Sequence, residues 1–140
     1  MLAALCIAAA FPATQAHAQS PPGYPSPAAP SAPLLTSAEL QGLVGRVALY
    51  PDDLLALILP ASTTPIDIVK AQRFLTKYAA DKSLKPDPSL SQPVMNLLTY
   101  PDVINMMGDD LDWTESLGNA VTGQQQDVLD AIQLFRRKAQ

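Results

Sequence analysis

Ala48-Leu49-Tyr50-Pro51-Asp52-Asp53-Leu54-Leu55-Ala56-Leu57-Ile58-Leu59-Pro60 is the stretch whose reading decides the fold of this chain. A proline at the first helical position gives up no needed hydrogen bond and has its φ already set. Asp52 and Asp53 then fall in the first turn, where the helix dipole favours negative charge. The run that follows is built mainly of Leu and Ala, good helix formers, whereas a buried strand would carry more Val, Ile and Thr. It therefore reads as a short helix that Pro60 ends. Apolar side chains on every face place it in the middle of a core, where each large one contributes about 1.5–3 kcal/mol when fully buried. It is much too short for a membrane span, which needs about twenty apolar residues.

Before this stretch, Thr36-Ser37-Ala38-Glu39 matches a capping box, in which the threonine hydroxyl takes an orphan N–H and the glutamate reaches back. The helix it starts is expected to run to about Leu49, with Leu40, Leu43, Val44 and Val47 on one face. Gly42-Leu43-Val44-Gly45 shares four letters with the glycine loop of a small RNA-binding module. It lacks flanking basic residues, so close helix packing is the better reading. After Pro60, a turn at 61–64 leads to Thr64-Pro65, a cap followed by a first-turn proline. The third helix continues through Ile66, Val69, Phe74, Leu75 and Tyr78 to about Asp81. Tyr78 and Lys82 have a spacing used by one large dehydrogenase class, but the glycine-rich dinucleotide turn is absent and a plain helix end explains them. Residues 82–93, with Pro86, Pro88 and Pro93, read as a loop.

An internal repeat follows. Tyr100-Pro101-Asp102-Val103-Ile104 restates Tyr50-Pro51-Asp52-Asp53-Leu54 at an offset of fifty, and Val47-Ala48 aligns with Leu97-Leu98. Two related corners are expected, each with a tyrosine just before a proline-started helix. The last helix should be the longest, capped by Asp109 or Asp110 and carrying Trp113, Leu117, Val121, Val128, Ile132 and Phe135 along one side. Gly118 and Gly123 mark either a close crossing or a bend. Gln124-Gln125-Gln126-Asp127 reads as a solvated face. Arg136-Arg137-Lys138 sit where cations meet the unpaired carbonyls of a last helical turn.

The chain has 140 residues, enough for one modest domain, and a net charge of −4, which argues against nucleic acid as a partner. Residues 1–18 read as a signal peptide. They have an apolar region from Leu2 to Phe11 and the small-x-small pattern Ala16-His17-Ala18, which places cleavage before Gln19. The Lys or Arg that ordinarily precedes the apolar region is lacking. Leu5 beside Cys6 fits a lipoprotein processing site poorly. Cleavage removes the only cysteine, Cys6, and the only histidine, His17. Disulfides, thiolate nucleophiles, Cys/His zinc sites and histidine acid-base catalysis leave with them. Residues 19–35, with prolines at 21, 22, 25, 27, 30 and 33, read as a disordered, extended linker.

Of the chemical candidates, Asp109-Asp110-Leu111-Asp112 with Glu115 offers carboxylates to a cation. The spacing does not match a calcium loop, and first-turn acids answering a helix dipole explain the same residues. No metal, cofactor or catalytic residue is therefore assigned. A carboxylate pair drawn from Asp52, Asp53, Asp102 and Asp110 is the basis of an alternative reading, a hydrolase acting on envelope polymers. It would need a cleft that raises one pKa.

Several of these segments together resemble one family. They are Val47 to Ala56, Pro65 to Phe74, Tyr100 to Met107, Leu111-Asp112-Trp113-Thr114 and Gln125 to Gln133, and the family is the bacterial domain-of-unknown-function family 3300. The likeness covers about residues 37–139. It implies an exported, envelope-associated and membrane-linked protein with no established activity. Members continue with a strand-forming region rich in Pro, Tyr and Val, so this chain resembles their helical half. The expectation is an all-α, compact bundle of about five helices over residues 36–140 with a long C-terminal helix. Its expected role is that of a periplasmic, non-catalytic binding or structural module for an unknown envelope protein or polymer. Membrane anchoring through an uncleaved residue 1–18 segment is the alternative location. Tyr50, Pro51, Asp52, Tyr100, Pro101, Asp102, Asp110, Asp112 and Trp113 are the candidate interaction or corner residues.

Overall fold

The Thr36 side chain accepts the Glu39 N–H at 3.3 Å, and the Glu39 carboxylate accepts the Thr36 N–H at 2.7 Å, so the capping box forms and α1 (Ser37–Val44) starts at its expected place. The computed structural model describes residues 33–140; the expected signal peptide and most of the expected linker lie outside the described residues. α1 stops at Val44, well short of Leu49. The Val47 and Ala48 N–H groups both return to the Val44 carbonyl (2.9 and 2.8 Å), and the Tyr50 N–H bonds the Val47 carbonyl at 2.9 Å. Tyr50 precedes a proline and is steered away from helical dihedrals. The tight turn before it lets Val47 and Ala48 point into the core, both fully buried.

α2 (Asp52–Ala61) carries Leu55, Ile58, Leu59 and Ala61 into the core, while Ala56 and Pro60 face solvent. The helix therefore lines the core with one side, and it runs one residue past Pro60. α3 (Pro65–Ala80) leaves α2 at 111°. Its buried face is Ile68 and Ala71, and Ile66 is 72% exposed. The reason lies in Asp67, whose carboxylate accepts the Ser91 N–H at 2.9 Å and turns that side of α3 toward the next segment, leaving Ile66 outside.

The expected loop to Pro93 is shorter than its prolines suggest, because α4 (Gln92–Leu97) begins inside it with Pro93 in its first turn. Pro93 is a helix starter rather than a loop marker. α5 (Pro101–Asp109) follows the second Tyr-Pro corner. There the Tyr100 N–H bonds the Leu97 carbonyl at 2.8 Å, as Tyr50 bonds Val47 in the first corner. The corners then diverge. In the first, Leu54 and Leu55 donate to Pro51, and in the second, Val103 and Ile104 donate to Tyr100, so the first helix begins one residue later in the repeat.

α6 (Leu111–Ala139) is the longest element, but it is not straight, because Gln124 leaves helical dihedrals (φ −148°, ψ 51°). The Trp113 indole N–H donates to the Leu43 carbonyl, and Phe135 lies against Gly45, only two residues further along. On a straight helix Trp113 and Phe135 would be ~33 Å apart. The two limbs of α6, 111–123 and 125–139, therefore fold back so that α1 touches both. The two glycines divide the two readings between them. A Cβ on Gly118 would sit 2.2 Å from the Ser62 carbonyl oxygen, so this is the close crossing; Gly123 has open space around it and adjoins the bend. Gln125, Gln126 and Asp127 are exposed, but Gln124 is half-buried. Its side chain accepts the Leu35 N–H at 2.7 Å and donates to the Leu35 carbonyl at 3.1 Å.

Among the described residues there are thus six helices and no strand, an all-α bundle with one helix more than expected. The repeat extends to the packing. α1 lies on α6 as α4 lies on α3, and α2 lies on α6 as α5 lies on α3. α2 also packs on α4, a contact with no counterpart between α5 and α1. Leu40, Val44, Ile58, Ile68, Leu97, Ile104, Met107, Leu117 and Ile132 fill the shared core. No single helix among the described residues is long and apolar enough to cross a membrane.

Candidate functional site

The first Tyr-Pro corner is closed by a residue from the far end of the chain. Arg136 donates through Nε to the Ala48 carbonyl (2.6 Å), through one terminal nitrogen to the Tyr50 carbonyl (2.7 Å) and through the other to Asp52 Oδ1 (2.6 Å). The carbonyls of the turn before a proline-started helix have lost their helical donors, and a planar guanidinium fork reaches two of them at once. Tyr50 is half-buried here, while Pro51 and Asp52 are exposed. Arg136-Arg137-Lys138 are expected to meet the carbonyls of their own last turn; Arg136 instead meets those of a different element. Lys138 bonds the Gln41 side chain at 2.7 Å.

A separate cluster at the start of α6 gathers Asp110, Trp113 and Arg46. Asp110 caps α6 by accepting the Trp113 N–H at 3.1 Å, and its other oxygen takes Arg46 at 2.8 Å. Arg46 also lies over the indole face, 5.3 Å from the ring centroid. The Trp113 N–H bond, and then Arg46, hold the Asp110 carboxyl below its ordinary value. Trp113 is buried and its ring N–H is spent on Leu43, so it anchors α1 to α6.

The remaining sequence candidates are drawn into neither of these two clusters. Tyr100 is 45% exposed, with Pro101 and Asp102 beside it at the surface, and Asp112 and Glu115 face solvent. Among the described residues no group of three or more His, Cys, Asp or Glu side chains converges as a metal site requires. Asp52 and Asp110, two of the carboxylates considered for hydrolysis, are each bonded to an arginine, Arg136 and Arg46 respectively.

One surface depression has no signature in the sequence. It is an open cleft of about 530 Å³ between the start of α1 and the second limb of α6, with Leu35, Leu40, Ala131 and Leu134 lining it and Asp127, Asp130, Gln133 and Arg137 beside them. Asp127 and Asp130 bond the amides of Gln124 and Gln126 on their own helix.

The family model described as protein of unknown function (DUF3300) matches residues 36–140, starting at the capping threonine. The chain belongs to the DUF3300 family. This DUF3300 chain is 32% identical over 142 residues to the uncharacterized protein YacH of Escherichia coli strain K12, in an alignment covering 95% of this chain and 21% of YacH. It thus spans about a fifth of that relative's length. No solved structure matches it. The DUF3300 residues that sequence reasoning misses are Arg46, Gln124 and Arg136, whose partners lie between 64 and 89 positions away. Local spacing carries no signal for such pairs. Gly123-Gln124 is the one available hint, a helix-weakening glycine followed by an amide able to bond backbone on both sides.

Proposed function

We propose that this DUF3300 domain is an exported, non-catalytic binding or structural module of the periplasm, tethered by its proline-rich segment and engaging another envelope protein or polymer. The cleft along α1 and the second limb of α6 is the observation that supports this reading. Arg136 is spent on the first corner, and Asp110 with Arg46 on the start of α6. The cleft instead combines an apolar floor with a few polar groups, the arrangement by which surface grooves take up a peptide or helix segment.

The test uses the full chain in living cells, with a photo-crosslinking residue in place of exposed Gln133 and the intact mass of each fraction measured. The expected result is a mature periplasmic species starting at Gln19 and one reproducible envelope adduct that Leu134→Asp removes. A cytoplasmic chain, or no adduct above that of the Leu134→Asp control, would overturn the proposal.

A further inference from the structure

α6 is divided at one point along its length. Both limbs are regular helix, and a single residue, Gln124, separates them. The second limb buries Val128, Ala131 and Ile132 in the core, sets Phe135 against Gly45, and adds the Arg136 clasp on the Ala48 and Tyr50 carbonyls. Every one of these contacts lies on the far side of the bend, so all of them can be made equally well to a second copy. At the bend, a Cβ added to Gly123 would meet nothing within 4 Å, and the Gln124 amide grips Leu35 and Asp127. These are the parts of a closed hinge: a latch at Gln124, and a neighbouring Gly123 that packs against nothing. Continuous helical dihedrals through 123–125 would give one rod of 29 residues, ~43 Å long. They would also restore the helical hydrogen bonds that the bend interrupts.

We infer that this domain forms an exchanged dimer, in which α6 straightens at Gln124 and residues 125–139 of each chain occupy the α1 face of a second copy. Exchange keeps the full set of α1–α6 contacts and changes only the hinge, so its balance is set by the hinge residues and by protein concentration. The occupant of the α1 face is a second copy because that face already fits this limb, with Gly45 accommodating Phe135 and Gln41 meeting Lys138.

The experiment compares the full chain, carrying Cys6→Ser throughout, with Gly123→Ala/Gln124→Ala by light scattering across a concentration series. Helicity is followed by circular dichroism. Alanine at both positions favours the straight rod and removes the latch, so the dimer dissociation constant should fall at least tenfold. A third chain carries Gln41→Cys/Lys138→Cys, closed as a monomer by a short bis-maleimide, and it should stay monomeric. If the double alanine variant does not fold, the Cys6→Ser chain carried through its melting transition at high concentration must yield the dimer. Monomers throughout at native helicity would overturn the inference, and so would a dimer that forms equally from the closed, crosslinked chain.

Discussion

Arg136 shows how much a single side chain can carry in a small helical domain. It fastens the C-terminal limb to two turn carbonyls that have no helical donor, so Arg136→Ala should cost about 3 kcal/mol in urea unfolding. Arg136→Lys should recover only part of that, because an ammonium lacks the planar fork. Asp52→Asn should cost less than about 1 kcal/mol, since the Asp52 side chain is 82% exposed. The glycines give an equally sharp contrast. Gly118→Ala would drive a Cβ into the Ser62 backbone and should destabilise by about 2–3 kcal/mol. Gly42→Ala, in open space within α1, should raise stability by about 0.5–1 kcal/mol. A thermal melt of each variant checks both signs. The sequence marks Gly42 and Gly45 together as packing glycines, but only Gly45 meets a neighbour, the Phe135 ring, because helix spacing alone does not say which side another helix will take.

The helices that announce themselves are those whose ends are chemically written. Thr36 with Glu39, Pro65 and Asp110 each mark an end by side-chain bonding or fixed φ, and α1, α3 and α6 start where these residues place them. The end of α1 and the start of α4 fall elsewhere than the sequence suggests. The first is decided by Tyr50 standing before a proline and by burial of Val47 and Ala48, the second by Pro93 acting as a starter. Thr36→Ala should therefore cost about 1 kcal/mol of unfolding free energy. The caps also set an acid response. The Thr36 N–H and hydroxyl hold Glu39 below its ordinary 4.5, the Trp113 N–H and Arg46 hold Asp110 below 3.8, and serine turns do the same for Asp81 and Asp87. The folded chain then binds fewer protons than the unfolded one in this range. The stabilisation from these carboxylates is present in full above those ordinary values and is lost as pH falls through the lowered native ones. A melting-temperature series should be level from neutral pH to about 5 and fall below about 4.5, and the fall should be smaller in Glu39→Gln/Asp110→Asn.

At the scale of the molecule, the five-letter repeat of the two Tyr-Pro-Asp corners is matched by two pairs of helix contacts, α1 on α6 with α4 on α3 and α2 on α6 with α5 on α3, while α2 on α4 and α4 on α5 have no counterpart. That much is legible because a proline-started helix after an apolar turn is a local pattern. The fold-back of α6 is not, since it depends on Gln124 meeting Leu35 and on Trp113 and Phe135 sharing α1, contacts that only the assembled core creates. The cleft is invisible for the same reason, being bounded by the two ends of the domain. The grip of Gln124 on Leu35 has a mechanical consequence. Tension on the chain preceding Leu35 arrives first at two hydrogen bonds loaded side by side, and only then at the Thr36–Glu39 box. A tug from the N-terminal side should therefore peel away one residue at low force while the helices stay seated, so that Leu35 acts as a fuse protecting the bundle.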